Sequence, residues 1–288
     1  MHTDILEKKW EQCFLDYFNT SNHCQDDASH DLSHFRRVAD MAKQIARYES
    51  VAIDYLVILA AAYFHDVVSL PKNHAESKLS SRYAAIKAQE ILKELCFPYD
   101  KISAVCHAIE AHSFSAQMPP ETIEAKIVQD ADRMESLGAL GIMRTFYVSG
   151  RLERPPYDAK DLYAKQRPLD DKVFGFDHFY CKLFKLPNLL QTEGGRQIAK
   201  KRADFLHFFT THLESDVAKE AGGAFMLTWA CYHAGRGGHK LFDNQDPLAK
   251  NRPLDADLVI DQLIKVRDQY PEFVIPFLAQ FDAEIKAS

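Results

Sequence analysis

Residues 52–67 (AIDYLVILAAAYFHDV) are apolar on almost every side, and this limits what the rest of the chain can be. A helix that is hydrophobic all round has no face fit to meet water, so it belongs at the centre of other elements. It also falls short of the roughly 20 apolar residues of a membrane span. The pattern therefore predicts a central, buried helix over 52–67. The run Ser69-Leu70-Pro71-Lys72-Asn73 stops it, because Pro71 disfavours helix at Leu70 and Asn73 is a turn residue. At the end of that helix stand His65 and Asp66.

Helical spacing recurs along most of the chain. Ile5, Trp10, Phe14, Leu15 and Phe18 follow it in 4–18, and Leu32, Phe35, Val38, Ala42 and Ile45 follow it in 31–48. Further helices are predicted over 80–95, 99–113, 120–149, 172–186, 195–218, 219–234, 256–269 and 271–285. Val/Ile-rich alternating runs bounded by turns are missing, so the expected class is all-α with almost no sheet. An apolar content of 47% is ample for a core. A net charge of −6 argues against broad nucleic-acid binding while leaving room for a basic pocket that takes a small anion. The first residues (MHTDILEKKWEQ) are charged and amphipathic, without the apolar core of a secretion signal, and no membrane association is expected. The 6 cysteines form no CxxC pair, so they read as reduced thiols of a cytoplasmic protein, with no zinc knuckle.

The more weakly patterned stretches 150–171 and 235–255 are related to each other. At an offset of 85 residues, YDAKDLYAKQRPLD (157–170) matches FDNQDPLAKNRPLD (242–255) at eight of fourteen positions. This is a partial internal duplication. Its structural meaning is an irregular segment whose closing Pro-Leu-Asp caps the next helix through Asp170 or Asp255. Its functional meaning is an anion-binding loop in which Lys165 and Arg167 reach the site. The position matching Asp132 in the second copy is Val217, so the copy cannot rebuild a metal centre there.

Three blocks carry the chemistry: HDLSHFRRV (30–38), AAYFHDVV (61–68) and IVQDADRME (127–135). Imidazoles and carboxylates from separated parts of one chain can converge on a divalent cation, and such an ion with its water is a hydrolytic engine. His34 shares a helix face with Arg37 and Val38, which sets a ligand beside a cation. Burying Asp66 at the end of so apolar a helix without a partner costs several kcal/mol, so something cationic should meet it. Asp130 and Asp132 lie two positions apart and so point roughly 200° apart on a helix. At most one of them faces a given ion, and Arg133 is a natural partner for the other.

In this order the blocks resemble the HD superfamily of metal-dependent phosphohydrolases. PKNHAESKLSSRYAA, VCHAIEAHSFSA and IVQDADRMESLGALGI look more narrowly like its YedJ/YpgQ-type bacterial branch, over roughly residues 5–215. The resemblance implies a helical-bundle HD domain over 1–215. A C-terminal helical extension over 216–288 would then hold the partial repeat of 138–170 and could serve as a surface for a partner or for self-association into a homodimer. It also implies a divalent ion (Mn²⁺, Mg²⁺, Ni²⁺ or Fe²⁺) held by His34, His65, Asp66 and, by family context, Asp132. The expected activity is hydrolysis of a nucleotide or another small phosphate ester or anhydride, with pyrophosphohydrolysis of a nucleoside triphosphate as its specific form. The alternative is an HD scaffold that binds metal and nucleotide without turnover.

Other candidates surround these ligands. His107 and His112, five residues apart with Glu110 between them, could extend the centre to a second ion, although that spacing shares a face poorly. The preferred role is for His112 to hydrogen-bond a phosphate or a water at the ion. His74 lies in the loop after the His-Asp pair, where substrate contacts are common. Lys72, Arg37, Arg133 and Lys78 could offset phosphate charge. Val67-Val68-Ser69-Leu70 replaces the acidic pair that follows the His-Asp dipeptide in the ppGpp-hydrolase branch, which argues against that activity. Glu110 and Glu76 are the acidic candidates for a general base, and Asp31 could orient a histidine.

Overall fold

The computed structural model describes residues 2–20, 32–70, 74–113 and 116–218. Its α-helices are α1 (His2–Thr20), α2 (Leu32–Ala46), α3 (Tyr55–Phe64), α4 (Ser80–Glu94), α5 (Tyr99–His112), α6 (Ile123–Met134), α7 (Gly138–Arg151), α8 (Asp177–Cys181) and α9 (Glu193–Ala218). Short 3-10 segments cover Ser77–Leu79 and Leu183–Leu189. No strand occurs among the described residues, so the fold is all-α. No helix among them is long and apolar enough to cross a membrane. The extension expected from residue 216, its self-association surface and the second repeat copy lie outside the described residues, apart from the end of α9.

The described chain forms two compact units. The first comprises Met1–Met134 with Leu190–Ile198, and the second comprises Glu135–Leu189 with α9 from Ala199 onward. The centre of the first unit is α3, in which every residue from Leu56 to Phe64 is buried. It begins later than the apolar run because Asp54 caps it, its carboxylate accepting from the Leu56 and Val57 amides at 3.1 and 3.3 Å. Asp54 is itself tied to Lys101 of α5, and its amide donates to Glu124 of α6 at 3.0 Å.

Around α3 pack α1, α2, α5 and α6. An aromatic layer joins the first three helices. Phe14 meets Phe64 edge-on at 5.1 Å between centroids, and Phe18 lies 5.2 Å from Phe35. Those two partners sit one residue from His65 and His34, so the core holds both histidines by their chain neighbours.

The sequence expectation of one helix over 120–149 is corrected. α6 ends at Met134 and α7 starts at Gly138, which takes φ 72°, a left-handed conformation that glycine adopts at little cost. Gly141 lies so close that a Cβ there would sit 2.3 Å from the Ser136 carbonyl oxygen. The helix expected over 172–186 is likewise corrected: it is reduced to α8 and the 3-10 turn holding Pro187. Asp170 does not cap it; its carboxylate accepts the Lys172 amide at 2.9 Å and opens a turn instead.

Arg167 organises this region. Its guanidinium donates to both oxygens of Asp177 at 2.6 and 3.0 Å and to Asp158 at 3.0 Å, and it lies 4.3 Å over the Phe174 ring. Asp161 accepts the Lys165 and Gln166 amides at 2.8 and 2.7 Å. The anion-binding meaning of the loop thus gives way at Arg167, whose donors hold the loop's own carboxylates and carbonyls. Lys165 is exposed, with its amine 5.6 Å from the Tyr163 ring.

Asp177 is 0% exposed, so Arg167→Ala leaves a buried carboxylate unpaired and costs ~3 kcal/mol, measurable by urea unfolding. Asp40 of α2 is raised to about 6 by burial, against Lys43, which lowers it, and with Glu11 raising it and Arg36 and Arg47 lowering it. The folded protein then keeps a proton that the unfolded chain releases between about pH 4 and 6, so this group's contribution to stability falls as pH rises through that window. Asp40→Asn should raise the Tm at pH 7.5 and leave it nearly unchanged at pH 4.

Candidate metal centre

α2 is amphipathic, burying His34 together with Phe35, Val38, Ala39, Ala42 and Ile45 on one face. His34 therefore points inward from the first turn. His65 closes α3, and its Nδ1 lies 2.8 Å from the Ala62 carbonyl, so the ring donates there and leaves the Nε2 lone pair facing the cluster. The two Nε2 atoms are 3.2 Å apart. His65 Nε2 lies 3.4 Å from Asp66 Oδ2, and Asp132 Oδ1 of α6 is 3.7 Å from both His34 Nε2 and His65 Nε2. One ligand atom from each of His34, His65 and Asp66 falls within 4.8 Å of the others.

This donor set fits a divalent ion. Bonds of ~2.1 Å place neighbouring ligand atoms ~3.0–3.4 Å apart, close to the separations seen here. Two imidazole nitrogens facing one another beside two carboxylates are better satisfied by a shared cation than by each other. Exposure is graded across the cluster. The His34 and His65 side chains are 2% and 0% exposed, whereas those of Asp66 and Asp132 are 16% and 29%. The histidines form the dry back of the site, and the carboxylates front its open side.

Asp130 and Asp132 divide as helix geometry requires. Asp130 is fully buried and accepts the Gln191 amide at 2.9 Å, the Thr192 amide at 2.8 Å and the Thr192 hydroxyl at 2.7 Å. It is the anchor for the start of α9, while Asp132 faces the histidines. Arg133, half-buried, feels both carboxylates, though burial is the larger influence and lowers its pKa.

The structure also separates the two extra histidines. His112, at the end of α5, puts Nε2 3.4 Å from Asp66 Oδ1 and its ring 4.9 Å from that of His65. His107 turns the other way and accepts the Glu121 amide at 3.1 Å. Glu110 is half-buried on α5, near Cys106. Arg37, on the next turn after His34, donates to Ser33 at 2.9 Å. His74 is exposed and accepts the Glu76 amide at 3.1 Å within its own loop. Glu76 and Lys78 are exposed there too, and Lys72 and Asp31 lie outside the described residues.

Gln129, absent from the sequence reading, donates from Nε2 to the Ala111 carbonyl at 2.7 Å and so ties α6 to the last turn of α5 beside His112. A helix end always leaves carbonyls to satisfy. Nothing local in the sequence names a partner 18 residues away.

The comparisons agree with this geometry. The HD domain family model matches residues 31–137, which span all four candidate ligands. The Bacillus subtilis protein YpgQ is 30% identical over 199 residues, covering 67% of this chain and 86% of that protein. An HD-superfamily hydrolase of known structure from Bacillus thuringiensis aligns with TM-score 0.55 and 30% identity, over 72% of this chain and 96% of that one. The crystal structure of B. subtilis YpgQ in complex with ADP aligns with TM-score 0.51 and 27% identity, over 75% and 95%. The chain is a member of the HD-domain family. It is hydrolase-like, with a His34–His65–Asp66 cluster of the kind that holds a divalent metal.

Burial lowers His65 to about 4, against the raising influence of Asp66. Burial also lowers His112, but its hydrogen bond to Asp66 and the charges of Asp66 and Asp132 outweigh that and raise it to about 9. At pH 7 in the metal-free protein, imidazole ¹⁵N spectra should show His65 neutral and His112 protonated.

Proposed function

We propose that this protein is a divalent-metal-dependent phosphohydrolase of the cytoplasm, acting on a nucleotide or a similar small phosphate ester or anhydride. The observation that carries this reading is the convergence of His34, His65, Asp66 and Asp132, with dry imidazoles behind and solvent-facing carboxylates in front. These four residues would hold the ion, with Mn²⁺, Mg²⁺, Ni²⁺ and Fe²⁺ as the candidates. A divalent ion bound there supplies Lewis-acid polarisation of a phosphoryl oxygen and acidifies water.

The remaining roles belong to this chain's own side chains. His112, held by the Ile109 carbonyl at 2.6 Å and by Asp66, presents a positive edge beside the ligands, where it can hydrogen-bond a phosphoryl oxygen or an attacking water. Arg37, one turn after His34, and Arg133, next to Asp132, would offset phosphate charge. His74, with Lys72 and Lys78 near it in sequence, would bind the outer part of a substrate. Glu110 is the acidic candidate of the sequence for taking a proton, but it stands two positions from His112 on α5 and near Cys106, so it leaves a different face of the helix from the one His112 turns to Asp66. His107, turned toward Glu121, would keep the α5–α6 connection in place. That arrangement favours one ion over two.

A nucleoside triphosphate, cleaved to monophosphate and pyrophosphate, is the favoured substrate. Its support is kinship with YpgQ, which has been crystallised with ADP. The test is a panel of nucleoside tri- and diphosphates assayed with Mn²⁺, Mg²⁺, Co²⁺ and Ni²⁺. Release of phosphate or pyrophosphate is expected, and its absence in every combination would sink the reading. His65→Ala and Asp132→Asn should each abolish turnover and weaken Mn²⁺ binding by more than the ~10–100-fold typical of outer-sphere changes. Nucleotide binding that persists with no turnover in the unmodified protein would identify a sensor instead.

A further inference from the structure

His34 and Asp132 come from two helices, α2 and α6, and the start of α9 is wedged against both. On the α6 side, Asp130 accepts the Thr192 hydroxyl at 2.7 Å and the Gln191 and Thr192 amides at 2.9 and 2.8 Å. The Thr192 hydroxyl oxygen in turn accepts the Gly195 amide at 3.0 Å, capping α9. A Cβ at Gly195 would sit 2.7 Å from Asp130 Oδ2 and 2.6 Å from Thr192 Oγ1.

The α2 side is equally close. A Cβ at Gly194 would lie 2.6 Å from the Ile45 carbonyl oxygen and 2.8 Å from the Tyr48 Cβ, and the Gly194 amide donates to Glu49 at 2.9 Å. Two adjacent glycines thus let one helix end approach the backbone of α2 and the carboxylate of α6 closer than any other residue would allow. Asp130 is separated from Asp132 by Ala131 alone, and the two side chains leave opposite faces of α6. Holding one therefore sets the rotation of the other.

We propose that Thr192–Gly195 is a positioning clamp, which holds α2 and α6 at the separation and rotation that let His34 and Asp132 share one ion. This rests on the metal-centre reading above. None of its residues would touch ion or substrate. Outer residues that orient metal ligands typically contribute ~10–100-fold in affinity, which sets the effect expected.

The test measures Mn²⁺ affinity by calorimetry on the full chain, alongside the visible spectrum of the Co²⁺ form. Thr192→Val removes the hydroxyl without changing the side chain's shape, and should weaken Mn²⁺ binding by ~10-fold or more and alter the Co²⁺ bands. Thr192→Ser keeps the hydroxyl and should bind as the unmodified protein does. Gly194→Ala should weaken binding from the α2 side; if it fails to fold, the Thr192 pair decides alone. Equal affinity in Thr192→Val and Thr192→Ser, whether normal or reduced, would overturn the clamp while the metal centre stands. Absence of Mn²⁺ binding in the unmodified protein would instead remove the metal centre, and the clamp with it.

Discussion

The first unit depends on how a histidine and an aspartate can be kept at the end of a helix that has no wet face. His65 is completely buried, its ring proton committed to the Ala62 carbonyl, so its other nitrogen offers a lone pair to a site with no water behind it. Burial opposes any charge on it. The neighbours must therefore either tolerate a neutral imidazole or share a cation with it. His34, Asp66, Asp132 and His112 are such neighbours, and they arrive from α2, the end of α3, α6 and α5.

The surrounding core serves this centre by holding the residues next to its ligands. Phe35 and Phe64 follow His34 and precede His65, and both are gripped by α1 through Phe18 and Phe14. The Phe35 ring also meets His65 directly, edge-on at 5.6 Å. Asp132 has no aromatic neighbour in sequence. Its placement falls to the opposite side of the same helix, through Asp130 and the start of α9. A packed interior passes small displacements along, so ligand geometry is sensitive to these contacts several residues away.

Much of the architecture was legible because periodicity and burial coincide. The expected helices over 80–95 and 99–113 agree with α4 and α5 to within a residue at each end. The long helix over 120–149 was misread because Ser136-Leu137-Gly138 contains no proline, and a lone glycine is tolerated in a helical pattern. Here Gly138 takes a left-handed turn, and Gly141 packs against the Ser136 carbonyl where any side chain would clash. Residues 172–176 leave the helix they would otherwise extend: the Gly175 and Phe176 amides donate to the Pro155 and Pro156 carbonyls at 3.0 and 2.7 Å, and the Asp177 carboxylate beside them accepts from Arg167 and from the Asp170 amide. Apolar spacing carries no trace of such a polar clamp.

The sequence alone determined the helical class, the central position of 52–67 and the His and Asp blocks from which a metal site could be drawn. It could do so because side-chain hydrophobicity and the 3.6-residue period are local properties. It also limited Asp130 and Asp132 to opposite faces of one helix. Only the tertiary structure decided which face each one meets, that His112 turns toward Asp66 while His107 turns away, and that Arg167 is consumed within its own loop. Those outcomes depend on which hydrogen-bond partners packing brings together across tens of residues, and no local pattern carries that information.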